Sequence, residues 1–445
     1  MIIYFKELAS YTESDIIRKM NLSMEKFDQF MRRMRERKII AQNKDLTYQF
    51  KYVGLIEYEN RFLMFAPKYF SNIADVSGIK QLLRLFLEYS KRENLDEEQK
   101  ETLGEAEIES SFNLIPMIDF LLMDYMEHGL YSSENQHEEL NGQGEINWIK
   151  TIEEQDVYIS DGRPYYLEMY TSEIYQDEED VIRQIHKYVL SEASDYMEQL
   201  SLINPYDYPV VDFNIESEDL GSIDYLMYVI EREIQVQFND QKLRLLNGLY
   251  NFLSQEKGIN AEDHIHLFGT RTFHVVWEKV CAYVLNNQYK VFKDDIPKPV
   301  WTDFFSDEKT VTDTLIPDIL SNRPEFNSFF ILDAKYYITA FDPDGKLQNN
   351  TPGIGDITKQ YMYEQALKNS LNLGQDYNWY NLFLLPSEER EDIFGKVTLP
   401  FLPDLQSVYL KYVHAPTMFD MYIYHEIYSN NYYEQLKGQL HESEI

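Results

Sequence analysis

One cysteine, Cys281, stands in 445 residues. An intramolecular disulfide is thereby excluded, a cysteine-built zinc site nearly so, and a reducing compartment is the expected setting. No apolar run approaches the roughly 20 residues that a membrane span needs. The opening MIIYFKELASYTESD lacks the charged start, long apolar stretch and small-residue cleavage site of a signal peptide, so a cytoplasmic location is expected. The absence of GxxxxGK[ST] means that this chain carries no P-loop NTPase site of its own, and the absence of GxSxG excludes a serine-hydrolase elbow. Positive charge is scarce too. The 41 Lys+Arg face 76 Asp+Glu, a formal net charge of -35, and such a surface repels a polyanion on average. A nucleic-acid function therefore requires basic residues gathered in one groove or a partner chain that supplies the affinity, and the second suits so acidic a chain better.

What is present argues for a folded protein. The sequence is 44% hydrophobic and 15% aromatic, with 36 Tyr and 26 Phe, which separates it from disordered chains of similar charge, and its length suits two or three domains. Three textures follow one another. In residues 1–75, two short helices between Ser10 and Ile40, the second from Met24 to Arg37 with Ser23 as N-cap, precede the strand-like LTYQFKYVGLIEY and RFLMFAPKYF, with Glu59-Asn60 to turn a hairpin between them. That order predicts a winged-helix-like module. Its second helix carries Arg32, Arg33, Arg35, Arg37 and Lys38, a basic island suited to phosphates or a partner protein, with a solvated helix face as the plain alternative.

Residues 76–260 read as a largely helical middle that docks a partner or contacts DNA. Val181, Ile182, Ile185 and Val189 share a face, and Ile223 to Gln255 reads as one or two long helices. The acidic runs Asp177–Asp180 and Glu97–Glu98 are expected at solvated helix starts. GEINWIKTI, residues 144–152, reads as a short strand by composition. From 261 to 445 the texture turns α/β: a helix near Phe273 to Leu285, then LIPDIL, the turn SNRPEF, the strand FFILDAKYY, the loop TPGIGD, the helix KQYMYEQALKN, strands NLFLLP and QSVYLKYV, and a closing helix. This alternation predicts a mixed sheet flanked by helices.

The chemistry concentrates there. Strand alternation in FFILDAKYY puts Ile331, Asp333 and Lys335 on one face, with Leu332 and Ala334 on the other, the expected core face. If LIPDI pairs with this strand as a hairpin, Asp318 approaches Asp333. Two adjacent carboxylates repel, and a hard divalent cation, Mg²⁺ or Mn²⁺, relieves the repulsion while keeping water in its shell. Lys335 then faces the same spot, suited to stabilising a phosphate's developing charge or holding the attacking water. The reaction this set suits is metal-dependent hydrolysis of a phosphodiester. Glu278, on the preceding helix, is a candidate further ligand or water-orienting acid, and Lys359 and Gln360, expected to open the helix after Gly353–Asp356, are candidates for holding the scissile phosphate or water. A bare PD…DxK match also arises by chance in an acidic chain; the order of the surrounding elements favours the nuclease reading over a capped structural carboxylate. His264, His266 and His274 lack the spacing of a zinc centre and read as packing residues, as does Cys281.

LIPDIL, ILDAKYY and GIGDITKQYMYEQAL, with FHVVWEKV upstream, resemble the LlaJI/BsuMI family of restriction endonuclease components, which is similar to the McrC nuclease subunit. FKYVGLI…FAPKYF and GEINWIKTI extend the resemblance over most of the chain. It implies a C-terminal PD-(D/E)XK nuclease core in which Asp318 and Asp333 bind Mg²⁺, Lys335 is the catalytic lysine and Glu278 the supporting acid. The family pattern of Gln with Tyr four residues on meets Glu364 here, with Tyr363 one place early, so Gln360 carries over less directly. The resemblance further implies a McrB-like AAA+ NTPase partner, DNA as substrate, and a cognate DNA methyltransferase in the same system. A repair or recombination nuclease, or a DNA-bound regulator with a silent nuclease fold, are the competing readings.

Overall fold

The computed structural model describes residues 2–443 apart from 59–60, 96–113, 133, 161, 177–179, 200–207, 209, 260–265, 304, 306–308, 312–314, 349–350, 372, 375 and 403–404. The Glu59-Asn60 turn, Glu97–Glu98, Asp177–Glu179 and His264 therefore lie outside the described residues. No helix among those described is long and apolar enough to cross a membrane. The chain forms two compact units, residues 1–113 together with 265–445, and residues 114–264. This partition differs from the expected division near residues 75 and 260, and strand pairing is the reason. The His266–Thr270 strand, which follows the inserted unit, pairs antiparallel with Val53–Tyr58 and completes a sheet in the order Ile2–Lys6, Arg61–Ala66, Val53–Tyr58, His266–Thr270. Gly54, at φ +131°, faces Gly269 across this pairing, and a Cβ on either would collide with the opposite backbone. Only glycines allow the strands to come so close.

The Val76–Leu95 helix likewise belongs with the C-terminal half. Gln81 Nε2 donates to the Pro416 carbonyl at 2.8 Å and Arg92 Nη2 to the Tyr422 carbonyl at 2.6 Å. At the N-terminus, Thr12 and Asp15 form a capping box on the Glu13–Met20 helix, and Ser23 caps Met24–Glu36. Ser10–Tyr11, Tyr48–Phe50 and Ile40–Gln42 form a small antiparallel sheet beside them. Residues 46–58 thus feed two different sheets where one strand was expected, because the chain leaves the small sheet after Phe50 and enters the larger one at Val53. Ile16, Phe27, Phe30, Met34 and Phe50 share the core beneath.

The second half of this unit is a five-stranded sheet in the order Ile319–Arg323, Ser328–Ala334, Asn378–Ser387, Val408–His414, Ile393–Val397. The first pair is antiparallel, the next two pairings parallel, and the last antiparallel. The Ile354–Leu371 helix covers one face through Tyr361, Tyr363 and Leu367, against Phe329, Ile331, Phe383 and Leu385. On the other face Phe330 packs at a tilt against Tyr433, and Trp277 lies beside Phe419 and donates its indole N–H to the Leu384 carbonyl at 3.3 Å. Every residue of Ser328–Ala334 is consequently buried, so both faces of this strand are core, where one was expected. Parallel sheets with helices on both sides require such apolar runs.

The inserted unit, residues 114–264, mixes helices with sheet. Helices Leu114–His128, Val181–Gln199, Ile223–Val236 and Asp240–Ile259 are joined by a three-stranded sheet, Glu134–Leu140, Tyr170–Gln176 and Glu145–Ile146, and by the hairpin Val157–Ser160/Arg163–Tyr166. The region is less purely helical than its periodicity suggested. GEINWIKTI is a strand only at Glu145–Ile146. The Asn147 side chain then accepts from Lys150 N and starts the Trp148–Glu154 helix, a local cap that outweighs the β-leaning composition. Ile182, Ile185 and Val189 are buried as expected, whereas Val181 is 41% exposed. Asp180 caps that helix, its Oδ1 accepting from Ile182 N at 2.7 Å and Arg183 N at 3.1 Å.

Candidate functional site

Register brings the two aspartates together. Ile319 pairs with Leu332 in the antiparallel hairpin, so Asp318, one residue before, stands opposite Asp333, and opposed residues share a face of the sheet. A short 3₁₀ turn, Pro324–Phe326, and Asn327 in the left-handed conformation close the hairpin more tightly than the expected SNRPEF turn, three of whose residues belong to the strand. The strand that follows Asp318 is pinned at its outer edge by Asn287, whose Nδ2 donates to the Asp318 carbonyl at 2.7 Å while its Oδ1 accepts from Leu320 N at 3.0 Å. The Asp318 carboxylate Oδ2 accepts from Ala334 N at 3.1 Å. Burial, then the Asp333 and Glu278 charges, push the Asp318 carboxyl up to about 8.

Lys335 leaves the strand end beside these acids. Its main-chain N–H continues the ladder to the Leu384 carbonyl at 2.9 Å. Its Nζ lies 2.8 Å from Asp333 Oδ2 and 3.2 Å from Asp356 Oδ1. Burial opposes its charge, yet Asp333, with Asp356 and Asp318 behind it, more than offsets this and holds the ammonium above the usual lysine range. Asp356 is a site residue that sequence reasoning missed. Its other oxygen accepts from Gly353 N at 3.0 Å, so one carboxylate ties the glycine loop to the lysine. Tyr363 was missed as a neighbour too: its hydroxyl donates to the Ile316 carbonyl at 3.0 Å, two residues before Asp318, and burial and then the Asp333 and Asp318 charges raise its pKa. Asp356, Gln360, Tyr363 and Leu367 recur at helical spacing, the signal that would have marked one helix face turned to the sheet.

The remaining candidates fall in different places. Glu278 is half-buried on the Phe273–Val284 helix and is near enough for its charge to act on Asp318 and on Cys281, whose buried thiol is raised well above its ordinary pKa. The Ile354–Leu371 helix begins earlier than expected, so Lys359 and Gln360 sit in its second turn and cannot use the free N–H groups of its first. Lys359 is exposed. Gln360 is fully buried, with neither Nε2 nor Oε1 partnered among the described residues. Glu364 turns away from the aspartates into a separate buried network: Lys368 Nζ at 2.5 Å, Asn381 Nδ2 at 2.5 Å and Gln406 N at 3.2 Å. Within the basic island, Arg33 and Arg35 lie over the Tyr58 and Tyr48 rings, at 5.6 and 5.9 Å from the ring centroids. Arg32 and Lys38 are exposed, and Arg37 offers its carbonyl to Arg271 at 3.2 Å.

Among the described residues no three His, Cys, Asp or Glu close into a ready-made metal cage. The donor chemistry still suits a small hard cation. Such ions are commonly held by one or two carboxylates plus waters, and the repulsion that Asp318 experiences from Asp333 and Glu278 is what a cation relieves. Asp318 and Asp333 are the residues able to hold it, with Glu278 in support.

A hairpin with opposed aspartates and an adjoining lysine, set in a helix-flanked mixed sheet, is an arrangement suited to acting on phosphate esters. The chain belongs to the LlaJI restriction endonuclease family, whose pattern matches residues 52–416. It is 29% identical, over 96% of its length and 90% of the relative's, to the type II restriction enzyme BsuMI component YdjA of Bacillus subtilis (strain 168). Among solved structures, the Thermococcus gammatolerans McrB AAA+ hexamers with bound McrC match at 13% identity and a TM-score of 0.41, over 94% of this chain and 98% of that one. The Thermococcus gammatolerans McrBC complex matches at 14% and 0.25, over 57% and 80%. Likenesses so loose decide nothing about this chain.

Proposed function

We propose that this chain is the DNA-cleaving subunit of a restriction system, hydrolysing phosphodiester bonds with Mg²⁺ or Mn²⁺ at a PD-(D/E)XK-type site. The observation that carries the reading is the meeting of Asp318, Asp333 and Lys335 at one strand end, within a chain of the LlaJI family. Asp318 and Asp333 would hold the cation, supported by Glu278; when bound, the ion lowers the pKa of a coordinated water and draws charge from the phosphate oxygens. Lys335, kept protonated by Asp333 and Asp356, is placed to stabilise negative charge on the phosphate as it develops. Asp356 fixes the lysine's direction. The buried Gln360 amide, unpaired among the described residues, has hydrogen-bonding capacity to offer a water or a phosphate oxygen. The test is cleavage of unmodified plasmid with Mg²⁺, alone and with the AAA+ partner plus ATP or GTP, comparing wild type with Asp333→Ala and Lys335→Ala. Cutting lost in both, with folding intact, supports the reading; equal cutting by all three makes the strand ordinary structure and leaves a scaffold role.

We propose further that the subunit works with a separate McrB-like AAA+ NTPase and alongside a cognate DNA methyltransferase. The relative bears the name of a component, this chain lacks a P-loop, and its net charge of -35 calls for a partner to bring DNA. The inserted unit supplies candidates for that contact: Ile149 and Ile159 are each 75% exposed, Leu167 70% and Trp148 53%. Large apolar side chains exposed in a contiguous patch commonly mark protein contacts. Alanine at Ile149 and Ile159 is expected to abolish co-purification with the NTPase and stimulation of its hydrolysis; retention of both would remove this surface from consideration.

A further inference from the structure

A second site lies at the same end of the five-stranded sheet. A cavity of about 280 Å³ is lined by Lys6, Lys68, Ser71, Ser387, Arg390 and Tyr412, among others, and no carboxylate lines it. For a chain with 76 acidic and 41 basic residues, three cations around one cavity is a departure from the overall balance. Three acids nearby have hydrogen-bond partners of their own, and the Glu7 charge acts on Lys68. Glu7 accepts from the Tyr336 hydroxyl and Lys68 N, Glu388 accepts from Ser71 N and Oγ at 2.6 Å each, and Asp392 takes the Arg390 fork at 2.6 and 2.9 Å. That fork leaves Arg390 Nη1 without a partner among the described residues, while the guanidinium stacks on Tyr412, 4.5 Å from the ring centroid. Lys68 Nζ sits 4.1 Å from the centroid of Tyr336, the residue that follows Lys335.

We infer that this cavity is a phosphate-binding site that holds the backbone of a nucleic-acid strand beyond the cleavage centre. The proposal rests on the nuclease reading for the identity of the strand. Phe383 pairs with Asp333, and Pro386, which lines the cavity, lies three residues further along the same parallel strand. At ~3.3 Å per residue the cavity is about 10 Å along the sheet from the aspartates, or roughly three base-pair rises of duplex. A strand whose scissile phosphate meets Lys335 therefore has a second phosphate within reach of Lys6, Lys68 and Arg390. Such a contact carries no sequence information and fixes where the strand lies.

Amine acetylation of the full chain, read residue by residue by mass spectrometry, tests this. The probe is a short DNA duplex of arbitrary sequence at millimolar concentration and low salt, without divalent metal, and exposed Lys293 serves as the reference. Burial lowers the Lys68 pKa, which favours its reaction with the reagent. The expected result is that the duplex slows acetylation of Lys6 and Lys68 about tenfold relative to Lys293, and that salt or Arg390→Gln removes the protection. No protection in the wild type overturns the proposal; protection by inorganic phosphate but not by duplex overturns the strand assignment and leaves a small-anion site. Protection that persists while the protein, supplied with its NTPase partner and nucleotide, fails to cut DNA with Mg²⁺ overturns the nuclease reading and not this site.

Discussion

Asp318→Asn should make the protein more stable above neutral pH and no more stable in acid. Asp318 is buried opposite Asp333 with Glu278 nearby, and its carboxyl is raised to about 8 from an ordinary 3.8. A pKa higher in the folded state means that folding favours the protonated form. That stabilisation is complete below pH ~4 and is lost as pH rises through about 8. A displacement of this size corresponds to at most about 5–6 kcal/mol. Water reaching a carboxyl that is not fully sealed reduces this to about 2–3 kcal/mol. The substituted amide cannot ionise and keeps an oxygen for Ala334 N, so the variant should melt with the wild type at pH 4 and about 2–3 °C above it at pH 8.5. Thermal melts by near-ultraviolet circular dichroism across that range measure the difference, and repeating them with millimolar Mg²⁺ should close the gap by raising the wild type alone. Equal melting at pH 8.5 without metal, or a mutant less stable throughout, would refute the picture of crowded carboxylates.

Asp356→Asn should lower kcat about tenfold with little change in KM, because Lys335 loses its 3.2 Å partner while substrate contacts remain; Asp356→Glu should restore part of the rate, and a fully active Asn variant would remove Asp356 from the site. Gly269→Ala should cost about 2–4 kcal/mol through collision with the facing Val53–Gly54 backbone, and an unchanged denaturant midpoint would contradict the close approach. Glu364→Ala should cost about 3 kcal/mol by stranding Lys368 and Asn381, with Glu364→Gln milder in the same unfolding assay. Arg32→Gln with Lys38→Gln should leave stability within about 0.5 kcal/mol and, if this surface meets DNA, reduce the salt slope of binding by the assembled complex by about two. An unchanged slope assigns the pair to solvent.

Much was legible from sequence because it is local. Ser23 before Met24, the apolar run ending on Asp333-Ala-Lys335, and the turn residues Pro324 and Asn327 fix a helix start, a buried strand and a hairpin within a few residues of themselves, and a hairpin's register follows from its turn. The pairing of Asp318 with Asp333 is therefore written in the segment 318–333. Corrections arose where a choice depended on distant chain. Residues 46–58 split between two sheets, and the Val76–Leu95 helix joins the C-terminal half, because their partners lie more than two hundred residues away in Thr270, Pro416 and Tyr422. Asp356 reaches Lys335 from twenty-one positions further along the chain, a contact that no spacing rule ranks above solvent exposure. Composition and short-range pattern were enough to single out the two aspartates and the lysine that meet at the strand end, the strand itself and the acidic character of the chain. Which acids crowd Asp318, that Glu364 faces a different network from Gln360, and that Lys6, Lys68 and Arg390 surround one cavity emerged from the folded arrangement alone, because burial and electrostatics depend on what the fold places within a few ångströms.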